Sequence, residues 1–152
     1  MAEWFDVIDV GVANKKFPLG HRQKDINGNE YMYCKGVASV VAEDVVNINT
    51  VTYAVIRTLA ANDNVGPVGI ALGALDAATD FGWVQIYGKG TADSATVAAD
   101  KQLYLTSTAG RVDDLDSAGD AIIGMVALAA DSTNSLSVWL NYPHVNGAAA
   151  ID

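Results

Sequence analysis

From Tyr31 onward the chain is a series of short apolar runs separated by turn residues, with no convincing amphipathic helical stripe. Asn27-Gly28-Asn29 is a turn signal, because Asn and Gly accept positive φ. Tyr31 to Lys35 then reads as a strand, Gly36 breaks it, and Val37 to Ala42 reads as the next. Glu43-Asp44 turns the chain into Val45 to Ile48. Thr52 to Leu59 carries two signals. Val51, Val55 and Leu59 fit a helical stripe, whereas the β-branched and aromatic content predicts a strand, and we take the strand. Asn62-Asp63-Asn64 is a turn, Val68 to Leu72 a buried run, and Asp76 to Gly82 a loop. Trp83 to Tyr87 alternates, with Trp83, Gln85 and Tyr87 on one face and Val84 and Ile86 on the other. Leu103 to Thr106 is a short strand that ends in the Ala109-Gly110 turn. Ile122 to Ala129 reads as a buried run. Asp131 to Asn134 turns it into Leu136 to Tyr142, where Leu136, Val138, Leu140 and Tyr142 share a face. Pro143, which cannot donate to a ladder, marks the end of that strand.

Many short strands with close turns predict an all-β fold, a small barrel or sandwich of short antiparallel strands with an extended N-terminal arm. Residues 1–29 lack either period and hold the stretch Lys15 to Lys24 with Pro18 and Gly20, so they read as the arm. Residues 30–145 read as the β-rich domain and 146–152 as a flexible tail. Gly69 to Asp76 leads into Trp83-Val-Gln-Ile-Tyr, and Gly124 to Asp131 leads into Val138-Trp-Leu-Asn-Tyr. A duplicated hairpin would give this echo, and so would any two hairpins of an Ala/Val-rich β protein.

Composition narrows the classes. A chain of 152 residues is one domain, or one domain plus an arm, and can hold a core without staples. The lone Cys34 excludes an intrachain disulfide and a cysteine-ligated zinc site. A hydrophobic share of 51% argues against disorder. Residues 1–60 hold six cations against seven acids, and residues 61–152 hold three against eleven, so the net charge of −9 belongs to the second part. An acidic chain is poorly suited to tracking a phosphate backbone, and no nucleic-acid partner is expected. The opening residues carry acids where a signal peptide would carry Lys or Arg. The longest apolar stretch, Ala121 to Ala130, is far short of the ~20 residues of a spanning helix, so no membrane partner is expected.

Candidate chemistry is sparse. His21 and His144 both fall in segments read as loops, away from any obvious nucleophile, and Cys34 reads as a small core residue. Asp113, Asp114, Asp116 and Asp120 form an acidic turn without the spacing of a calcium loop, so a solvated turn is the better reading and no metal is assigned. Gly88-Lys89-Gly90-Thr91 lacks the upstream glycine of a phosphate-binding loop and reads as a turn between strands. No catalytic residue and no cofactor are assigned, and the chain is not expected to be an enzyme.

Three pieces of sequence carry a resemblance. They are Asn29 to Val40 with Glu43-Asp-Val-Val, Val68-Gly-Ile-Ala-Leu-Gly followed by Phe81-Gly-Trp-Val-Gln-Ile-Tyr-Gly, and Ile122-Ile-Gly-Met-Val with Val138-Trp-Leu-Asn-Tyr-Pro. Together they resemble the head decoration (capsid cement) proteins of tailed bacteriophages. The resemblance implies a structural virion protein, made in the host cytoplasm and bound to the outside of an assembled capsid, where it stabilises joints between major capsid proteins as a homotrimer. It supplies no site residues. The arm offers Trp4, Phe5 and Phe17 as anchors and Lys15, Lys16, Arg22 and Lys24 as charges for a capsid or a neighbouring subunit. On that reading, deleting residues 1–25 leaves a folded domain and abolishes capsid binding. The alternative is a glycan- or receptor-binding module of a phage fibre, stacking sugars on Trp83, Tyr87 and Trp139.

Overall fold

The computed structural model describes residues 15–60, 65–116 and 121–146. These form strands β1 Arg22–Lys24, β2 Glu30–Lys35, β3 Ala38–Val40, β4 Val45–Ile48, β5 Val55–Arg57 and β6 Gly66–Ala71. They continue with β7 Leu75–Ala77, β8 Phe81–Ala92, β9 Gln102–Leu105, β10 Val112–Asp113, β11 Ala121–Ala127 and β12 Leu136–Val145. The fold is all-β, as the patterning predicts. The large sheet runs in the order β1-β2-β8-β6-β12-β11-β9-β10, with β4 and β5 attached to β6, and does not close into a barrel. Strands β3 and β7 make a separate pair.

β8 positions everything else. Its first half pairs antiparallel with β2, placing Trp83 opposite Tyr33, and with β6, placing Gln85 opposite Ile70. Its second half pairs with β12, placing Gly88 opposite Leu140 and Lys89 opposite Trp139. β6 meets β12 at Gly66 and Pro67. The three strands thus pair with one another in turn, which folds the sheet back on itself. Val84 and Ile86 look into a cluster with Met32, Cys34, Val46 and Leu75, while Trp83 joins Tyr31 and Tyr33 in another. The largest cluster lies between β6, β9, β11 and β12 around Ile70, Leu103, Met125 and Leu140.

Several sequence expectations give way to tertiary context. The sequence predicts an arm that runs to residue 29, but from Phe17 the chain packs onto the sheet. Phe17 lies 5.3 Å from the Tyr33 ring and 5.2 Å from that of Trp83. The Gly20 amide donates to the Tyr33 carbonyl at 2.8 Å, and the Tyr33 amide donates to the His21 carbonyl at 2.8 Å. Gln23 then sits opposite Tyr31 in the β1–β2 ladder. This segment covers the face of β8 that would otherwise expose Trp83. Trp4, Phe5 and the tail from residue 147 lie outside the described residues.

The strand expected over 52–59 shrinks to β5. The Asn49 side chain accepts from the amides of Val51 and Thr52, both at 2.9 Å, and Tyr53 takes a φ of 55°. The turn therefore lasts until Ala54. The loop expected over 76–82 contains the end of β7 and the start of β8, closed by the Asp80 carboxylate on the Ala77 amide. Gly88 to Thr91 is strand interior and not a turn: the glycines serve close approach. A Cβ on Gly88 would fall 2.1 Å from Asn29 Oδ1, and Gly88 has a φ of 95°.

Pro143 does not end β12. Between the pairs Ile123–His144 and Met125–Leu140, the single Gly124 opposes Asn141, Tyr142 and Pro143. Pro143 falls inside this bulge, where no ladder bond is required of it. Gly124 has a φ of 85° and lies so near the Asn141 carbonyl that a Cβ would meet it at 2.6 Å.

Two outcomes follow from this packing. Removing residues 1–25 strips β1 and uncovers Trp83, so the fold is weakened and not spared. Phe17→Ala alone should cost about 2 kcal/mol of buried apolar surface, lowering Tm by ~4–8 °C in a chain of this length; an unchanged melt would refute the covering role. Cys34 is fully buried, and burial pushes its thiol up to about 12. It should resist alkylation at neutral pH and react at the rate of global unfolding, as read by mass spectrometry in a denaturant series.

Candidate partner-binding face

The outer face of β8, β12 and β11 carries side chains that the core does not use. On β12, Leu136, Val138 and Leu140 point inward and Trp139 points out, with 41% of its surface exposed. Strict alternation would bury Tyr142 with Leu140. The bulge, with a φ of 46° at Tyr142, shifts the phase, and Tyr142 stands 45% exposed on the outside. Tyr87 lies between the two: its ring centroid is 5.6 Å from Trp139, edge to face, and 5.2 Å from Tyr142. Val126 on β11 faces Trp139 across the ladder, and Ile123 and Leu128 are also exposed on that strand and its end. The result is a strip of aromatic and aliphatic side chains on one face of the sheet.

Charges frame it. Glu30, at the start of β2, is 6% exposed. The Tyr142 hydroxyl donates to its Oε2 at 2.6 Å, Arg22 approaches Oε1 at 3.8 Å and Lys24 approaches Oε2 at 3.9 Å. The hydroxyl bond is the short, charge-assisted one, while the two ion pairs are long and solvent-screened. Bonding to the Glu30 carboxylate raises the Tyr142 phenol above its ordinary value. Arg22 also lies over the Tyr142 ring, 6.0 Å from its centroid.

Beside the strip, the Asn27–Asn29 turn overhangs β8. The Asp25 carboxylate organises it by accepting from the amides of Asn27 and Asn29, the Asn29 side chain and the Tyr31 hydroxyl, all within 3.0 Å. Asn29 Oδ1 in turn accepts from the Lys89 amide at 3.2 Å, which is why Gly88 must lack a side chain. The turn and the strip enclose an open groove of about 570 Å³, with Asn27, Asn29, Tyr87, Lys89 and Trp139 on its walls.

The residues expected to bind a partner are only partly brought together. Arg22 and Lys24 meet at Glu30 on the rim of the strip. Lys15 and Lys16 are exposed but precede Phe17 on the side of Tyr33 and Trp83, and the Lys16 amide donates to the chain's own Tyr33 hydroxyl oxygen at 3.0 Å. Phe17 is partly buried and packs against Tyr33 and Trp83 of its own chain. Trp83 has no exposed surface, so it cannot stack a sugar; Phe17 and His21 cover it. Tyr142, Lys89 and Val126 were not singled out from the sequence. The bulge that exposes Tyr142 has a local signal in Gly124 and Pro143, but their pairing across the ladder is visible only in three dimensions.

Among the described residues the reactive groups are not brought together. His21 stacks on Phe17 with centroids 5.4 Å apart, and His144 sits in the ladder opposite Pro67. Among the described residues no three His, Cys, Asp or Glu side chains converge as a metal site. Asp113 and Asp114 accept backbone bonds from Asp114 and Ala98, and Asp120 lies outside the described residues. No protein-family model and no curated protein matches the chain.

The turn that bounds the groove should respond to pH. Burial alone would raise the Asp25 carboxyl, but the bonds from Asn29, Tyr31 and Asn27 outweigh it and hold the group below its ordinary 3.8. A depressed acid stabilises the fold fully above its unfolded value and loses that contribution as pH falls through the folded one. The stability gap between the wild type and Asp25→Ala should therefore be constant near neutrality and narrow below pH 3.8. Burial and then the Asp25 bond push Tyr31 up to about 12, so phenolate absorbance should show a late-titrating tyrosine that Asp25→Ala brings down.

Proposed function

We propose that the chain is a structural virion protein that binds the outer surface of an assembled phage capsid and stabilises joints between major capsid proteins, acting as a trimer. The observation that carries this reading is the exposed strip of Ile123, Val126, Trp139 and Tyr142 on a rigid sheet face, with no reactive grouping beside it among the described residues. A cement protein works through contact area, and exposed aromatics held on a scaffold are the side chains that dominate contact energy. The resemblance of three segments to head decoration proteins points the same way. The proposed docking site moves from the arm to this face, with Arg22 and Lys24 kept as its rim and Lys15 and Lys16 left aside.

The groove favours a second reading, a glycan- or receptor-binding module of a phage fibre, in which Tyr87 and Trp139 stack a sugar ring. Trp83 takes no part in it.

Cosedimentation with expanded phage heads decides between them. The wild type should bind, while the double variant Ile123→Asp with Val126→Asp, which alters exposed positions only, should melt within a few degrees of wild type and lose at least ~10-fold in occupancy, as expected when charge enters an apolar contact. Light scattering should give three times the chain mass. Glycan-array binding without head binding would replace this reading with the second.

A further inference from the structure

The strip has an internal order that says what kind of surface it meets. Arg22 lies over Tyr142, Tyr142 touches Tyr87, Tyr87 touches Trp139, and Trp139 stands opposite Lys89 in the β8–β12 ladder. Three linked rings thus run between two cations. Lys89 is exposed and forms no ion pair among the described residues. At the other end, Arg22 and Lys24 share the one carboxylate of Glu30, which leaves a cation in excess. These charges stand out on a chain with a net charge of −9. The Asn27 side chain, on the groove wall beside Lys89, is exposed and makes no hydrogen bond among the described residues, so it offers a donor and an acceptor together.

We infer that this row receives an extended, acidic segment of the coat protein, with carboxylates set against Lys89 and the Arg22–Lys24 pair and apolar side chains laid on the rings between. The inference rests on the capsid reading proposed above and names the chemistry of the partner at that same face. Charge complementarity selects the occupant. A nucleic acid or a sulfated polysaccharide brings an anion at every unit to a chain that is itself strongly acidic, and only three cations are here to meet it. A protein segment brings carboxylates only where the cations are, and its amides can bond to Asn27 in the groove.

The test compares wild type, Lys89→Gln and Lys89→Glu on expanded heads at low and high salt. All three should give the same circular dichroism, since Lys89 is exposed. Lys89→Gln should lose on the order of tenfold in occupancy at low salt and Lys89→Glu more, and the salt dependence should flatten in Lys89→Gln. A short synthetic peptide with a Glu at each end and Val and Leu between should quench wild-type tryptophan fluorescence and fail to quench Trp139→Phe. If the wild type does not bind heads at all, the capsid reading itself fails. If the wild type binds and Lys89→Glu binds equally well at both salts, that reading stands and the acidic partner is overturned. Tighter binding of a single-stranded oligonucleotide or a sulfated polysaccharide than of the peptide also overturns it, as does a loss of self-association in Lys89→Glu with head occupancy unchanged.

Discussion

The structure depends on one strand, β8, being paired along its whole length and covered on both faces of its first half. Its twelve residues bond to β2 and β6 and then to β12. Val84 and Gln85 are flanked on both sides, by β2 and β6, and from Gly88 onward the ladder runs to β12. The requirement extends to its glycines. Gly88 admits Asn29 against the backbone, and Gly90 admits the Gln85 side chain, whose amide bonds to the carbonyls of Tyr87 and Lys89. A side chain at Gly88 would push away the turn that forms the groove wall, and one at Gly90 would displace the Gln85 amide from the carbonyls of Tyr87 and Lys89. The site geometry is thus a consequence of how tightly this strand is surrounded.

A second constraint acts through phase. Side chains in a strand alternate with a period of two, so one irregularity reverses every later assignment. The bulge opposite Gly124 does this once, between Leu140 and Pro143. Its effect is to place Tyr142 outside beside Tyr87, while Pro143 and Val145 return to the inside. The aromatic row exists because of this shift. Without it, Trp139 and Tyr87 would stand outside without Tyr142 beside them, and Glu30 would lose its hydroxyl donor.

The fold class was legible because it depends on local pattern. The strands around Tyr33, Val46, Ile70 and Val138 fall where alternation and β-branched content place them. What was not legible depends on contacts distant in sequence. Residues 15–24 look like an arm because their stretch of Lys, Pro and Gly has no period, yet Phe17 has a site 66 residues away on Trp83. Gly88 and Gly90 read as a turn because glycine in isolation signals one; their partners, Asn29 and Gln85, give them a different role. Of the candidate binding residues, Arg22 and Lys24 come together because they stand two apart on a strand and so share a face. Phe17 and Trp83 pack against the chain itself, because hydrophobic size marks both a contact surface and a core, and only packing tells them apart.

Glu30 poses the last physical question of this face. A carboxylate with 6% exposure is expensive unless its oxygens are bonded, and two ion pairs near 4 Å would not offset that burial. The short bond from Tyr142 is what satisfies it. The same bond restrains the Tyr142 ring, which is further held between Arg22 and Tyr87. Tyr87 is in turn held against Trp139. Each ring therefore has its rotamer set by a neighbour before any partner arrives. Association normally forfeits about 0.5–1.5 kcal/mol for each mobile side chain that it immobilises, and a row already fixed through Glu30 forfeits less. A buried acid in the rim of an apolar strip thus has a physical role in recognition without touching the partner: it holds the rings still.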